Sequence, residues 1–215
     1  MNRAGAGLRY MPKQTISKIG SLALEQTASQ TPRKVALFSG HMIDAPGREV
    51  PRFPPDKEAV AAQAIGQALD DVGVGAGDLA ICGGACGGDL LFADAALARG
   101  ARLSLYLPFE EPQFLEKSVA FAGDNWRERF LSAKARAALH ILPRERETLP
   151  GSDPYEQNNI WMLEIAEAYG AREIEFICLW DGQAGDGPGG TKHMMEELGR
   201  KGGRVIWLDT RDLWG

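Results

Sequence analysis

Between residues 82 and 89 the chain reads Cys82-Gly83-Gly84-Ala85-Cys86-Gly87-Gly88-Asp89, with four glycines in six positions. A run of this kind between a strand and a helix lets the backbone take positive φ and approach a ligand closely. The unpaired N–H groups at the helix start, together with the positive end of its dipole, favour an anion such as phosphate. The competing reading is a tight strand-to-helix turn in which glycine is merely convenient. The spacing is neither G-x-x-x-x-G-K-[ST] nor G-x-G-x-x-G, which disfavours ATP hydrolysis by a P-loop and ordinary NAD binding. Cys86 stands at the same helix start, where a thiol pKa is lowered, but no histidine near it in sequence can act as its base.

Other residues could share a site with this turn. Ser39-Gly40-His41 closes the first apolar run, and His41 could donate to phosphate or stack on a base. Arg48 and Arg52 flank a proline-rich stretch, where an arginine fork would suit phosphate and a solvated pair is the plainer alternative. Asn158 and Asn159 sit one turn into a helix, a poor interior position for asparagine, so one of them is expected to touch ligand or brace a loop. A second glycine-dense stretch runs from Asp181 to Gly190 and leads into Thr191; it reads equally as a flap over a ligand and as a flexible loop. Its acids do not follow the twelve-residue order of a calcium loop, and the C-x-x-x-C spacing of Cys82 and Cys86 matches no common zinc or redox pattern. No metal and no cofactor is expected.

The elements that must carry these residues alternate. Apolar runs at Val35–Phe38, Leu79–Cys82, Arg102–Leu107, Ala138–Leu142, Ile174–Trp180 and Val205–Leu208 read as strands. Helical patterns start at Asp56, at Asp89, twice within Phe109 to Ala138, at Asp153-Pro154 with its N-cap and first-turn proline, and before Arg200. Alternation of this type predicts an α/β fold, a Rossmann-like parallel sheet with helices on both faces and right-handed crossovers. In such sheets ligands lie beyond the carboxyl ends of the strands, where the residues above gather.

The chain has 215 residues, 44% hydrophobic and 25% charged, enough for one sizeable core. Residues 1–32 are polar and read as an arm or linker, with the α/β domain at 33–215. A net charge of −5 supplies no basic footprint, so nucleic acid is not expected as a partner. No apolar run is long enough to span a bilayer and the first residues lack a signal-peptide core, so no membrane partner and a cytoplasmic location are expected.

Val35-Ala36-Leu37-Phe38-Ser39-Gly40, then Gly83-Gly84-Ala85-Cys86-Gly87-Gly88-Asp89, then Ala95-Ala96-Leu97-Ala98-Arg99-Gly100 before a strand, resembles the SLOG superfamily of Rossmann-like nucleotide-binding domains, best over residues 33 to 142. That group includes LOG-type phosphoribohydrolases, which cleave nucleoside monophosphates at the N-glycosidic bond, DNA-processing proteins and nucleotide-sensing domains. Gly187-Pro188-Gly189-Gly190-Thr191, with Glu196 and Glu197 following, looks like the phosphoribohydrolase P-G-G-x-G-T-x-E-E signature, although His193 and Met194 stand where its glutamates would.

The resemblance implies a nucleotide or nucleotide-derived signal whose phosphate is held at Gly83 to Asp89. Its ribose and base would be bounded by Ser39, Gly40, His41, Asn158 and Gly189-Gly190-Thr191. The setting would be a homo-oligomer or a fused partner domain. The rival is a nucleotide N-glycosidase, with Glu196 or Asp89 as the carboxylate beside the ribosyl centre and Arg127, or else Arg129, holding the phosphate. A third reading is a partner-binding module with a vestigial pocket.

Overall fold

The computed structural model describes residues 31–146, 153–170, 174–183 and 190–215, and the fold lies in Pro32–Gly215. All but the last two residues of the expected arm at 1–32 fall outside the described residues. Six strands, β1 (Val35–Gly40), β2 (Leu79–Cys82), β3 (Arg102–Leu107), β4 (Ala137–Ile141), β5 (Ile174–Trp180) and β6 (Arg204–Asp209), form one parallel sheet in the order β4-β3-β2-β1-β5-β6. Seven α-helices accompany them among the described residues: α1 (Glu58–Asp71), α2 (Gly88–Ala98), α3 (Glu111–Ser118), α4 (Asp124–Lys134), α5 (Pro154–Glu167), α6 (Thr191–Arg200) and α7 (Thr210–Trp214). The expected Rossmann-like α/β architecture is the observed one. No described helix is long and apolar enough to cross a membrane.

The apolar runs are nearly continuous because the central strands are buried on both faces. Along β1, Ala36 and Phe38 join a core with Ile65 and Leu69 of α1, Phe92 of α2 and Phe130 of α4. Val35 and Leu37 point the other way, into a core with Met162 of α5 and Met194 and Leu198 of α6. Phe38 and Phe92 stack with ring centroids 4.9 Å apart, and each such fully buried side chain contributes about 1.5–3 kcal/mol.

This two-sided packing creates the crevice. The chain leaves β1 towards the face carrying α1 and leaves β5 towards the face carrying α6, while the two strands pair through Ser39 with Cys178 and Gly40 with Leu179. Connections that depart on opposite faces from adjacent strands open a gap beyond their carboxyl ends.

One element is absent from the sequence reading. Helix α7 starts at the Asp209 carboxylate, which accepts the Arg211 N–H at 2.9 Å. Its Trp214 stacks on the buried Phe53 with centroids 5.4 Å apart, and Trp214 Nε1 donates to the Arg52 carbonyl at 3.0 Å. The last helix therefore buttresses the loop that follows β1.

Candidate functional site

The crevice holds a cavity of about 280 Å³ lined by the ends of β1 and β2, the start of α2, the start of α5 and the start of α6. Each start is set locally. The Asp153 carboxylate caps α5 by accepting the Tyr155 N–H at 2.7 Å, with Pro154 at the first helical position. Thr191 opens α6 and is tied to β1 by a 3.2 Å hydrogen bond between the Ser39 and Thr191 hydroxyls. The loop after β1 is organised by Asp44, whose Oδ2 accepts the N–H groups of Arg52 at 2.9 Å and Phe53 at 3.0 Å. Arg52 thereby reaches the cavity.

Among the residues expected at the ligand, Ser39, Gly40, His41, Gly83, Ala85, Asp89, Asn158, Gly190 and Thr191 line this cavity together. Gly84, Cys86, Gly87 and Gly88 belong to the same turn but do not line it, and Gly189 lies outside the described residues. Glu196 and Arg127 are both exposed and away from the cavity; Arg127 lines a separate surface depression beside α3. The expected arginine fork divides, because Arg48 turns to the Asp44 carboxylate at 3.3 Å while Arg52 stays in the cleft. Asn159 lines it as well, and Met42, Phe114, Tyr155 and Glu156 are among the remaining wall residues. No spacing in the sequence marks them, since their elements meet only through the sheet.

The glycine turn is packed differently from an open anion cradle. Gly87 has φ +98°, and a Cβ there would stand 2.6 Å from the Ile43 nitrogen, so glycine is needed for close docking against the loop after β1. Three of the turn's amides are paired within the chain. Ala85 donates to Asp89 Oδ2 at 3.1 Å, Cys86 to the Ser118 carbonyl at 2.8 Å and Gly88 to the His41 carbonyl at 3.0 Å. The carboxylate of Asp89 thus sits at the helix start where a phosphate was the expected guest.

Burial controls the titrations in this site. It raises the Asp89 carboxyl to about 7, the Ala85 N–H offsetting only part of the effect. It lowers His41 below its usual range, opposed by Asp181 and assisted by nearby Arg52. With the ring neutral, His41 Nε2 accepts the Asp181 backbone N–H at 3.2 Å and its proton sits on Nδ1; the Asp181 carboxylate stands at the same distance, where it would pair with the protonated ring. Cys86 is fully buried and its thiol is pushed up to about 12, the opposite of an activated nucleophile.

Asn158 is 3% exposed, and its Nδ2 donates to the Tyr106 carbonyl at 2.8 Å. That bond fixes the amide, because a flipped group would oppose two oxygens. Its Oδ1 has no hydrogen-bond partner among the described residues, and the Arg52 guanidinium likewise has neither hydrogen bond nor ion pair among them. The cleft wall therefore includes a residue with an unmatched acceptor and one unmatched cation. Among the described residues no group of three His, Cys, Asp or Glu side chains could hold a metal ion.

No protein-family model matches the chain, and no curated protein matches it. Among solved structures, that of DNA processing protein A from Streptococcus pneumoniae is similar, with a TM-score of 0.42 and 17% identity over 82% of this chain. The chain spans 50% of that protein. The exclusion of nucleic acid as a partner does not stand beside this match and is withdrawn: a net charge sums the whole chain, whereas nucleic acid meets a local surface.

Proposed function

We propose that the chain is a SLOG-type domain that binds a nucleotide or nucleotide-derived signal in the cleft between β1 and β5. The observation that carries this reading is the buried Asn158, which lines the cavity at the point where the strand order reverses and whose amide oxygen has no partner among the described residues. A buried acceptor without a donor costs about 1–3 kcal/mol, which a ligand donor would recover. Binding without turnover is favoured because Glu196 and Arg127 stand outside the cavity and no activated thiol lies in it.

The test is a thermal-shift and mass-spectrometric screen against nucleoside monophosphates, ADP-ribose, NAD and cyclic nucleotides. Stabilisation without product is the expected result. Silence across the panel would overturn the reading and favour a partner-binding module. Release of free base would establish the N-glycosidase instead. One observation favours that second reading: a buried carboxyl with a pKa of about 7 lines the cleft, and such an acid can deliver a proton to a departing base at neutral pH.

A further inference from the structure

The cleft is electrically two-sided. Asp89, Glu156 and Asn158, from the starts of α2 and α5, line it with acceptor-bearing side chains. Arg52 brings a cation from the loop after β1. Three of the amides that an anion at the glycine turn could use, those of Ala85, Cys86 and Gly88, already donate within the chain. A phosphate there would displace Asp89 from the Ala85 N–H or, at a pH where the carboxyl is ionised, share a desolvated space with its negative charge, and like charges in such a space repel strongly.

We propose that the glycine turn of this chain does not seat a phosphate: the Asp89 carboxylate takes that place, and the cleft selects a nucleotide by the exocyclic amino group of its base, received by Asp89, with the phosphate on Arg52. This rests on the nucleotide-binding reading and reverses the orientation that the glycine turn alone suggests. Asp89 is then a specificity-determining residue. Gly83 keeps room for it, because a Cβ at Gly83 would stand 2.8 Å from Asp89 Oδ2 and 3.8 Å from the Tyr106 carbonyl oxygen. That same carbonyl holds Asn158 in orientation, so one backbone group borders both residues.

The test is calorimetric titration of the full 215-residue chain at pH 8. The probes are AMP with its 6-deamino analogue purine riboside 5′-monophosphate, CMP with UMP, and inorganic phosphate alone. The wild-type chain is expected to bind an amino-bearing member more than about tenfold tighter than its counterpart, the size of one good hydrogen bond to a charged acceptor. It should give no heat with phosphate at millimolar concentration.

Asp89→Ser should lose the preference and gain phosphate binding, because the small side chain vacates the turn. Asp89→Asn, which keeps the shape if the serine variant fails to fold, should lose the preference without gaining phosphate. Arg52→Ala should bring the affinity for AMP down to that for adenosine. Equal affinity within both nucleotide pairs would overturn the proposal, as would wild-type phosphate binding that survives Arg52→Ala. If no nucleotide binds, the functional reading fails, and the phosphate titrations alone decide: phosphate taken up by Asp89→Ser but not by wild type upholds the occupied turn, and its absence from both overturns it.

Discussion

Asp89 Oδ2 stands 2.8 Å from the point that a Cβ on Gly83 would occupy, so the glycine at the end of β2 and the carboxylate at the start of α2 exist on condition of each other. The contact joins the sheet edge to the helix it feeds. It also places the one buried carboxylate of the turn in the cleft.

Gly83→Ala should therefore destabilise the fold by ~1–3 kcal/mol through overpacking. In the background of Asp89→Ala the same substitution should cost much less, because the atom it strikes is gone. A double-mutant cycle by urea unfolding measures the coupling, and additive costs would refute the mutual dependence.

The carboxyl of Asp89 gives stability a defined pH slope. Its pKa rises from 3.8 to about 7 on folding, so the folded chain holds the proton more tightly than the unfolded chain. The contribution is present in full below pH 4 and is lost as pH rises to about 7, a change of ~4 kcal/mol at most. Unfolding free energies of wild type and Asp89→Asn between pH 4 and pH 7 should diverge by this trend, with the variant lacking the slope.

His41 acts in the opposite sense. Burial holds its folded pKa below 6.5, so its contribution is present above 6.5 and is lost as pH falls towards the folded value. Nitrogen-15 NMR of the imidazole should show the Nδ1–H tautomer at pH 7 and a midpoint below 6.5. A midpoint above 6.5 would mean that the Asp181 carboxylate, rather than its N–H, governs the ring.

All three cysteines are buried, and burial pushes Cys86 and Cys178 up to about 12 and raises Cys82 as well. At pH 8 the folded chain should react negligibly with a thiol reagent, while the urea-unfolded chain should react at all three. Fast labelling of Cys86 in the folded state would reopen its candidacy as a nucleophile.

Trp214→Phe keeps the stack on Phe53 and removes the hydrogen bond to the Arg52 carbonyl, so it should cost about 1 kcal/mol of stability. Because the loop carrying Arg52 loosens, affinity for a nucleoside monophosphate should fall while affinity for the corresponding nucleoside stays. An equal loss for both would detach Arg52 from phosphate binding.

How much of this was legible in the sequence follows from the range of the forces involved. The strands at 79–82, 102–107 and 174–180 were readable to the residue, because burial on both faces writes a mostly apolar run that glycine, proline or a turn cuts off. The cap of α5 was readable because Asp153, Pro154 and Tyr155 settle it among themselves. The oddity of Asn158 within a helix was visible too, since the amide competes with its own backbone.

Helix α7 was not legible, because five residues carry little periodicity and its Trp214 is defined by a partner 162 positions away. The meeting of Ser39 with Thr191, 152 residues apart, likewise depends on β5 pairing with β1 rather than on any local spacing. The glycine turn shows the division most plainly. Its composition determined that the backbone would bend sharply between a strand and a helix, a local steric matter. Asp89 pairs the Ala85 amide within the turn itself, but the pairing of Cys86 and Gly88 was decided by Ser118 and by the loop after β1, and the desolvation of Asp89 by distant packing, none of which the turn's own residues encode.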